Sequence, residues 1–183
     1  SKVMPSLNNI SWERVDKEDS VTYPCDDINL PGNEIVFSQN FPTSSGLAKI
    51  VPTDLISPHE LPDQNFPFVL TTGRLLEHWH TGAMTRRSNA LDNIEPEAIV
   101  NMNRLDMKNL KLEPGNKVQV KTRRGSIELS VRQDTELPKG MIFIPFCFSE
   151  AAANKLTNPQ LDPFGKIPEF KYCAANILSL IHI

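Results

Sequence analysis

The sequence predicts a mainly β protein with short helices: a compact β-barrel behind an extended connector. Three observations carry this. From Phe66 onward, short apolar runs recur, each bounded by Gly, Pro, Asn or Asp. One stretch, KVQVKTRRGSIELSV, alternates apolar and polar residues on both sides of a turn, as a hairpin does. The first third is instead punctuated by proline. Eight of the fifteen prolines fall at or before Pro67, a pattern of segments that lie across a body without building their own core.

Residues 1–64 therefore read as a connector, with strand-like pieces NEIVFSQNF and LAKIVP between turn-rich LPGN, FPTSSG and ISPHELPDQNFP. FPFVLTT is the first strand expected of the barrel. EAIVNMN is the second, with Ala98, Ile99 and Val100 apolar. NRLDMKNLKL reads as a short helix capped by Asn103, with Leu105, Met107 and Leu110 apolar. Val118 and Val120 then alternate with Gln119 and Lys121, and Ile127, Leu129 and Val131 with Glu128 and Ser130. ELPKGMIFIPF is a turn followed by a buried strand. SEAAANKL is expected to be a short helix, and EFKYCAANI the last strand. Short strands separated by brief helices suit a barrel with helical inserts.

Charge separates the two parts. Residues 1–64 carry four Lys/Arg against ten Asp/Glu, whereas 65–183 carry fifteen against twelve. The second part is mildly basic without a long basic stripe, which favours a small anionic ligand over a nucleic-acid duplex. No run of ~18 apolar residues exists, so no membrane span or membrane contact is expected. Cys25, Cys147 and Cys173 are widely spaced and form no CxxC, so neither a zinc nor an iron–sulfur site is expected within the chain. An odd cysteine count with no apolar leader fits a reducing, cytoplasmic compartment. The opening Ser, with no leader, suggests a piece of a longer protein.

TTGRLLEHWHTGAMTRRS, residues 71–88, has no clear period. It follows the first strand and concentrates hydroxyls, glycines, imidazoles and guanidinium groups. Glycine lets a ligand approach the backbone, and its N–H can hold anionic oxygens. Arg74 offers a planar fork suited to phosphate. His78 and His80 sit two apart and, on an extended segment, face the same way. Arg86 and Arg87 add two more cations. Each residue also has a plainer reading: Gly73 as a turn residue, Arg86 and Arg87 as a solvated pair, His-x-His as a metal pair that lacks a third ligand. Only a ligand explains why they cluster. A second cluster spans 145–171. Phe146, Phe148 and Phe170 can form flat walls for a heterocycle or pack in the core. Asn154 and Asn158 can pair with an amide-like ring edge, or Asn154 can simply sit at a helix end. Lys171 adds a charge.

FPFVLTTGRLLEHWHTGAMTRRS, PEAIVNMN, LKLEPGNKVQVKTRRGSIELSV and the stretch KGMIFIPFCFSEAAANKLTNPQLDPFGKIPEFKYCAANI, in this order, resemble the C-terminal domain of molybdopterin oxidoreductases. Within them, the resemblance is to molybdenum- or tungsten-dependent formate dehydrogenase catalytic (alpha) subunits. It implies a double-psi β-barrel over 65–177 that grips molybdopterin guanine dinucleotide, in its bis form with Mo or W, with 1–64 the tail of the preceding domain. Thr72, Gly73 and Arg74 would meet the dinucleotide, and His80, Thr81 and Met84 would line the same groove. Phe146, Cys147 and Asn154 would form the second binding stretch, and Phe170 with Lys171 the third. Cys147 stands where the family often carries His, which leaves its backbone for the contact.

The resemblance also implies an oxidoreductase whose iron–sulfur cluster and metal ligand belong to N-terminal domains that no part of this chain matches. The chain would hold cofactor without catalytic or metal-ligating residues of its own. Its expected partners are those N-terminal domains and electron-transfer subunits, with no nucleic acid. The domain is shared with nitrate reductases, and the barrel skeleton alone allows a stand-alone binding module. LSLIHI, residues 178–183, departs from the family pattern and reads as a non-native tail, with a genuine apolar strand extension as the alternative.

Overall fold

In the computed structural model, which describes residues 3–180, the alternating stretches do become strands. They are β1 (Phe68–Gly73), β2 (Ile99–Asn103), β3 (Lys117–Lys121), β4 (Ser126–Asp134), β5 (Met141–Pro145) and β6 (Cys173–Ser179). They close into one barrel in the order β1-β5-β2-β4-β3-β6. Two pairs, β1 with β5 and β2 with β4, are parallel, and the remaining pairs are antiparallel. This is the mainly β, double-psi type of barrel that the sequence and its resemblance imply. Closure leaves no strand edge unpaired.

Alternation decides what faces inward. Leu70, Val100, Met102, Val118, Val120, Ile142 and Ile144 are fully buried, with Leu129 and Val131 nearly so, while Glu128 and Lys121 between them are exposed. Each such side chain contributes roughly 1.5–3 kcal/mol by leaving water. Helix α3 (Arg104–Asn109) starts where expected, because the Asn103 side chain accepts from Leu105 N–H. Its buried Asp106 accepts from Gly140 N–H at 2.6 Å.

Strand direction sorts the connections. The C-terminal ends of β1, β3 and β5 and the N-terminal ends of β2, β4 and β6 lie on one rim. That rim carries the two long connections, residues 74–98, which include helix α2 (Asn89–Ile94), and 146–172, and the short turn 122–125. The connection bearing α3 leaves from the other rim.

The chain groups into two compact units, Ser1–Leu55 and Ile56–Ile183. Residues 56–64, read from sequence as connector, group with the barrel, where Glu60 pairs with Arg123 and Arg124, and Asp63 with Arg123. The first unit contains helix α1 (Trp12–Glu18), capped by Ser11. It is organised around Arg14, which donates to the carbonyls of Asn9 and Leu30.

Three expectations need correction. NEIVFSQNF and LAKIVP form no strand; β-prone sequence becomes a strand only where a partner completes its ladder. SEAAANKL yields only a 3-10 turn, Ala153–Lys155; a single turn cannot repay helix nucleation. The last strand starts at Cys173, later than EFKYCAANI suggested, because Glu169 and Lys171 turn their side chains to other partners. Within the stretch read as a tail, Leu178 and Ser179 lie in β6 opposite Gln119 and Val118, which does not bear on its origin. The rest of that tail, 181–183, lies outside the described residues.

Candidate functional site

The parallel register of β1 and β5 sets Gly73 beside Pro145, and Phe146 N–H then donates to the Gly73 carbonyl at 3.1 Å. Two residues beyond β5, the Cys147 carbonyl lies 2.9 Å from where a Cβ on Gly82 would stand, so the 74–84 loop packs directly on the 146–148 stretch. The third stretch closes on the same place. Thr72 Oγ1 donates to the Phe170 carbonyl at 2.9 Å, and Lys171 Nζ donates to the Thr72 carbonyl at 2.7 Å. Stretches about a hundred residues apart in sequence thus meet at the end of β1.

The structure separates the residues that face outward from those that build the rim. Arg74, Thr81, Met84, Asn154 and Lys171 are exposed, and His80, Phe146 and Phe170 are half-buried. Arg74 lies 5.9 Å from the ring centre of exposed Trp79, and that indole also meets the His80 ring edge-on at 4.5 Å. Sequence reading passed over Trp79. Its signal was an aromatic flanked by two imidazoles in a loop with no core-facing period. Asn154 sits on the 3-10 turn beside the 122–125 turn, on the same rim but with no contact to the other candidates among the described residues.

Other side chains are spent on structure. Thr72 is buried and its hydroxyl is taken by Phe170, so it offers a ligand no free hydroxyl. Gly73 is small for a packing reason: a Cβ there would meet the Phe143 ring at 2.6 Å. His78 and His80 do not face one way. His80 adopts φ of 49°, which breaks the extended run, and His78 turns fully into the core. Phe148 is core and not a wall. Asn158 is buried, donating to Glu169 and accepting from Gln160 N–H. Arg86 binds Asp92 at 3.1 Å and Glu150 at 2.6 Å and lies over the Phe148 ring, so it is not free for a ligand.

These pairings set the sign of the rim. Burial pushes the Glu150 carboxyl up, but the Arg86 hydrogen bond and charge outweigh it and hold it below the usual carboxylate range. Asp92 shares the same guanidinium, and Glu95 is bound through both oxygens by Arg132. Among the described residues, Arg74, Arg87 and Lys155 have no carboxylate partner. Asp92, Glu95 and Glu150 are thus paired internally while Arg74, Arg87 and Lys155 stay exposed, with half-buried rings on the same rim. That donor set fits a phosphate-bearing heterocyclic ligand.

Cys147 is chemically quiet. Burial pushes its thiol up to about 11, only partly offset by a backbone hydrogen bond and the Arg86 charge. All three cysteines are free and buried. At pH 8 about a thousandth of Cys147 is thiolate, so alkylation by iodoacetamide will be slow in the folded chain and fast in urea. Rapid labelling of Cys147 in the native state would show that this loop opens.

Comparison with known proteins gives the rim a context. Residues 68–174 match the family described as "Molydopterin dinucleotide binding domain". F420-dependent formate dehydrogenase subunit alpha of Methanocaldococcus jannaschii is 43% identical over 176 residues, 96% of this chain and 26% of the relative. F420-dependent formate dehydrogenase 1 subunit alpha of Methanococcus maripaludis is 38% identical over 177 residues, again 26% of its length. The chain therefore spans about a quarter of these relatives. Acetylene hydratase from Pelobacter acetylenicus superposes with a TM-score of 0.57 over 62% of this chain and 18% of its own, at 20% identity, a likeness of fold alone.

Proposed function

This chain belongs to the molydopterin dinucleotide binding domain family, and from that membership we propose that it is the cofactor-holding C-terminal portion of a formate dehydrogenase catalytic subunit. The whole enzyme would convert formate to carbon dioxide, releasing a proton and passing two electrons to an acceptor. The observation that carries the reading is the convergence of three stretches on one rim, through Gly73–Phe146, Thr72–Phe170 and Lys171–Thr72, with unpaired cations around them.

The dinucleotide, molybdopterin guanine dinucleotide, would supply the metal and the redox chemistry when bound. This chain's residues would bind and orient it. Arg74, exposed and unpaired, suits the phosphates. Phe146 and Phe170 offer ring faces, and His80, Thr81 and Met84 line the approach. Lys171 is held by the Thr72 carbonyl 5.4 Å from the Phe170 ring centre, which fixes a charge beside that face. Cys147 would contribute backbone only, in keeping with its protonated thiol. Asn154 would reach the ligand from the far side of the rim. The reacting groups would come from the preceding domains, which would also cover the cofactor's other face.

Replacing Arg74 by Ala in the parent enzyme is expected to lower bound dinucleotide at limiting supply by about tenfold or more, the loss that follows removal of a charged hydrogen bond. Molybdopterin content per polypeptide measures it. Content equal to wild type would reject the assignment of this rim.

A further inference from the structure

His78 is the one site-loop side chain that faces wholly inward, and its contacts reach both long connections. Its ring is fully buried. Nε2 lies 2.8 Å from the Glu95 carbonyl, which can only accept, so Nε2 carries the proton. Nδ1 has no hydrogen-bond partner among the described residues, so the Glu95 bond is the ring's one polar anchor. The imidazole meets Phe148 edge-on at 5.8 Å. Arg86 covers the same phenyl ring at 4.8 Å and is tied to Glu150 and Asp92. Glu95 is anchored in turn by both guanidinium nitrogens of Arg132 on β4. One imidazole therefore links the 74–84 loop, the approach to β2 and the stretch after β5.

The loop needs such a link. His80 (φ 49°) and Gly82 (φ 72°) both sit in the left-handed region, where a non-glycine residue stays only if its surroundings hold it. The loop's own bonds gather at its C-terminal end: Gly82 N–H to the Trp79 carbonyl, Trp79 N–H to Thr85 Oγ1, and Arg86 and Arg87 N–H to the Gly82 and Met84 carbonyls. A loop held in its bound shape before the ligand arrives loses less entropy on binding.

We propose, on the dinucleotide reading above, that His78 is a positioning residue. Its Nε2–H bond to Glu95 and its contact with Phe148 hold residues 74–84 in the shape that presents Arg74, His80 and Thr81 to the ligand. His78 itself touches no ligand.

The test compares His78→Phe, which keeps a buried ring and loses the donor, with His78→Gln, whose amide N–H can still reach Glu95. Amide hydrogen exchange is followed in the full 183-residue chain, and GDP serves as the nucleotide probe in a calorimetric titration. In His78→Phe, amides of 74–84 should exchange about tenfold faster, the factor that one hydrogen bond carries, while β1 and β5 stay as in wild type. His78→Gln should recover most of the protection, and GDP affinity should follow the same order. Unchanged exchange in the loop, equal acceleration in β1 and β5, or no recovery by Gln would each overturn the proposal. If His78→Phe does not fold, His78→Asn replaces it, since its amide is too short to reach Glu95. Wild-type chain that ignores GDP would count against the dinucleotide reading, while the exchange pattern still decides whether His78 holds the loop. GDP binding that is equal in wild type and His78→Phe would overturn the positioning role alone.

Discussion

Glu60→Ala will lower the stability of the barrel by about 3 kcal/mol, a drop of about 10 °C in its melting transition. The side chain is 11% exposed and serves three donors at once. It accepts from Arg124, from Arg123 at 2.9 Å and from Ala174 N–H at 2.8 Å. Truncation takes this acceptor from the Arg124 guanidinium and from a buried backbone N–H, and leaves Arg123 with Asp63 alone, which costs more than the pair's net contribution. The effect should also carry a pH signature. Burial alone would raise the Glu60 carboxyl, but the bonds from Arg124 and Ala174 and the two Arg charges hold it below its ordinary 4.5. A depressed carboxylate stabilises the fold fully above its unfolded pKa, and that stability is lost as pH falls through the folded value. Wild type should therefore lose stability below about pH 4.5 more steeply than Glu60→Gln, which has no proton to take up. Calorimetric scans across pH 3–7 measure both effects, and parallel profiles for the two proteins would refute the assigned role.

Leu70→Ala is expected to cost about 3–4 kcal/mol. Leu70 is fully buried at the middle of β1, opposite Ile142 on β5 and Cys173 on β6. A closed barrel cannot collapse onto the missing atoms, because each strand is pinned on both sides by ladder hydrogen bonds, so most of the cavity would persist. Leu70→Met, which conserves volume, should cost less than about 1.5 kcal/mol. Urea unfolding reads the difference as a shift in midpoint at unchanged slope. A loss below 1 kcal/mol for the alanine variant would mean that the barrel interior repacks. The site feels the same substitution, since β1 leads directly into Thr72, Gly73 and Arg74.

The elements that were legible in the sequence are those set by near neighbours. Val118, Val120, Ile127 and Leu129 alternate because a strand turns each successive side chain to the other face, and the structure buries all four. Asn103 caps α3 because its side chain reaches an N–H two residues on. The strand-like NEIVFSQNF carried the same kind of local signal and forms no strand, since β-structure also needs a partner strand, which local pattern does not supply.

In the site, the motifs were legible, and the division of labour among their residues was not. The sequence alone determined that two polar, aromatic clusters follow strand ends, that residues 65–183 are mildly basic, and that the motifs stand in the order of one family. Tertiary structure alone decided which of those groups remain free. Arg86 and Arg74 look alike in sequence, yet only Arg86 meets Glu150, sixty-four residues away. His78 and His80 look like a pair, yet one is core and the other rim. The physical reason is range. Periodicity and capping act over a few residues, whereas a charge or ring is spent or spared by whatever the parallel register of β1 and β5 brings beside it.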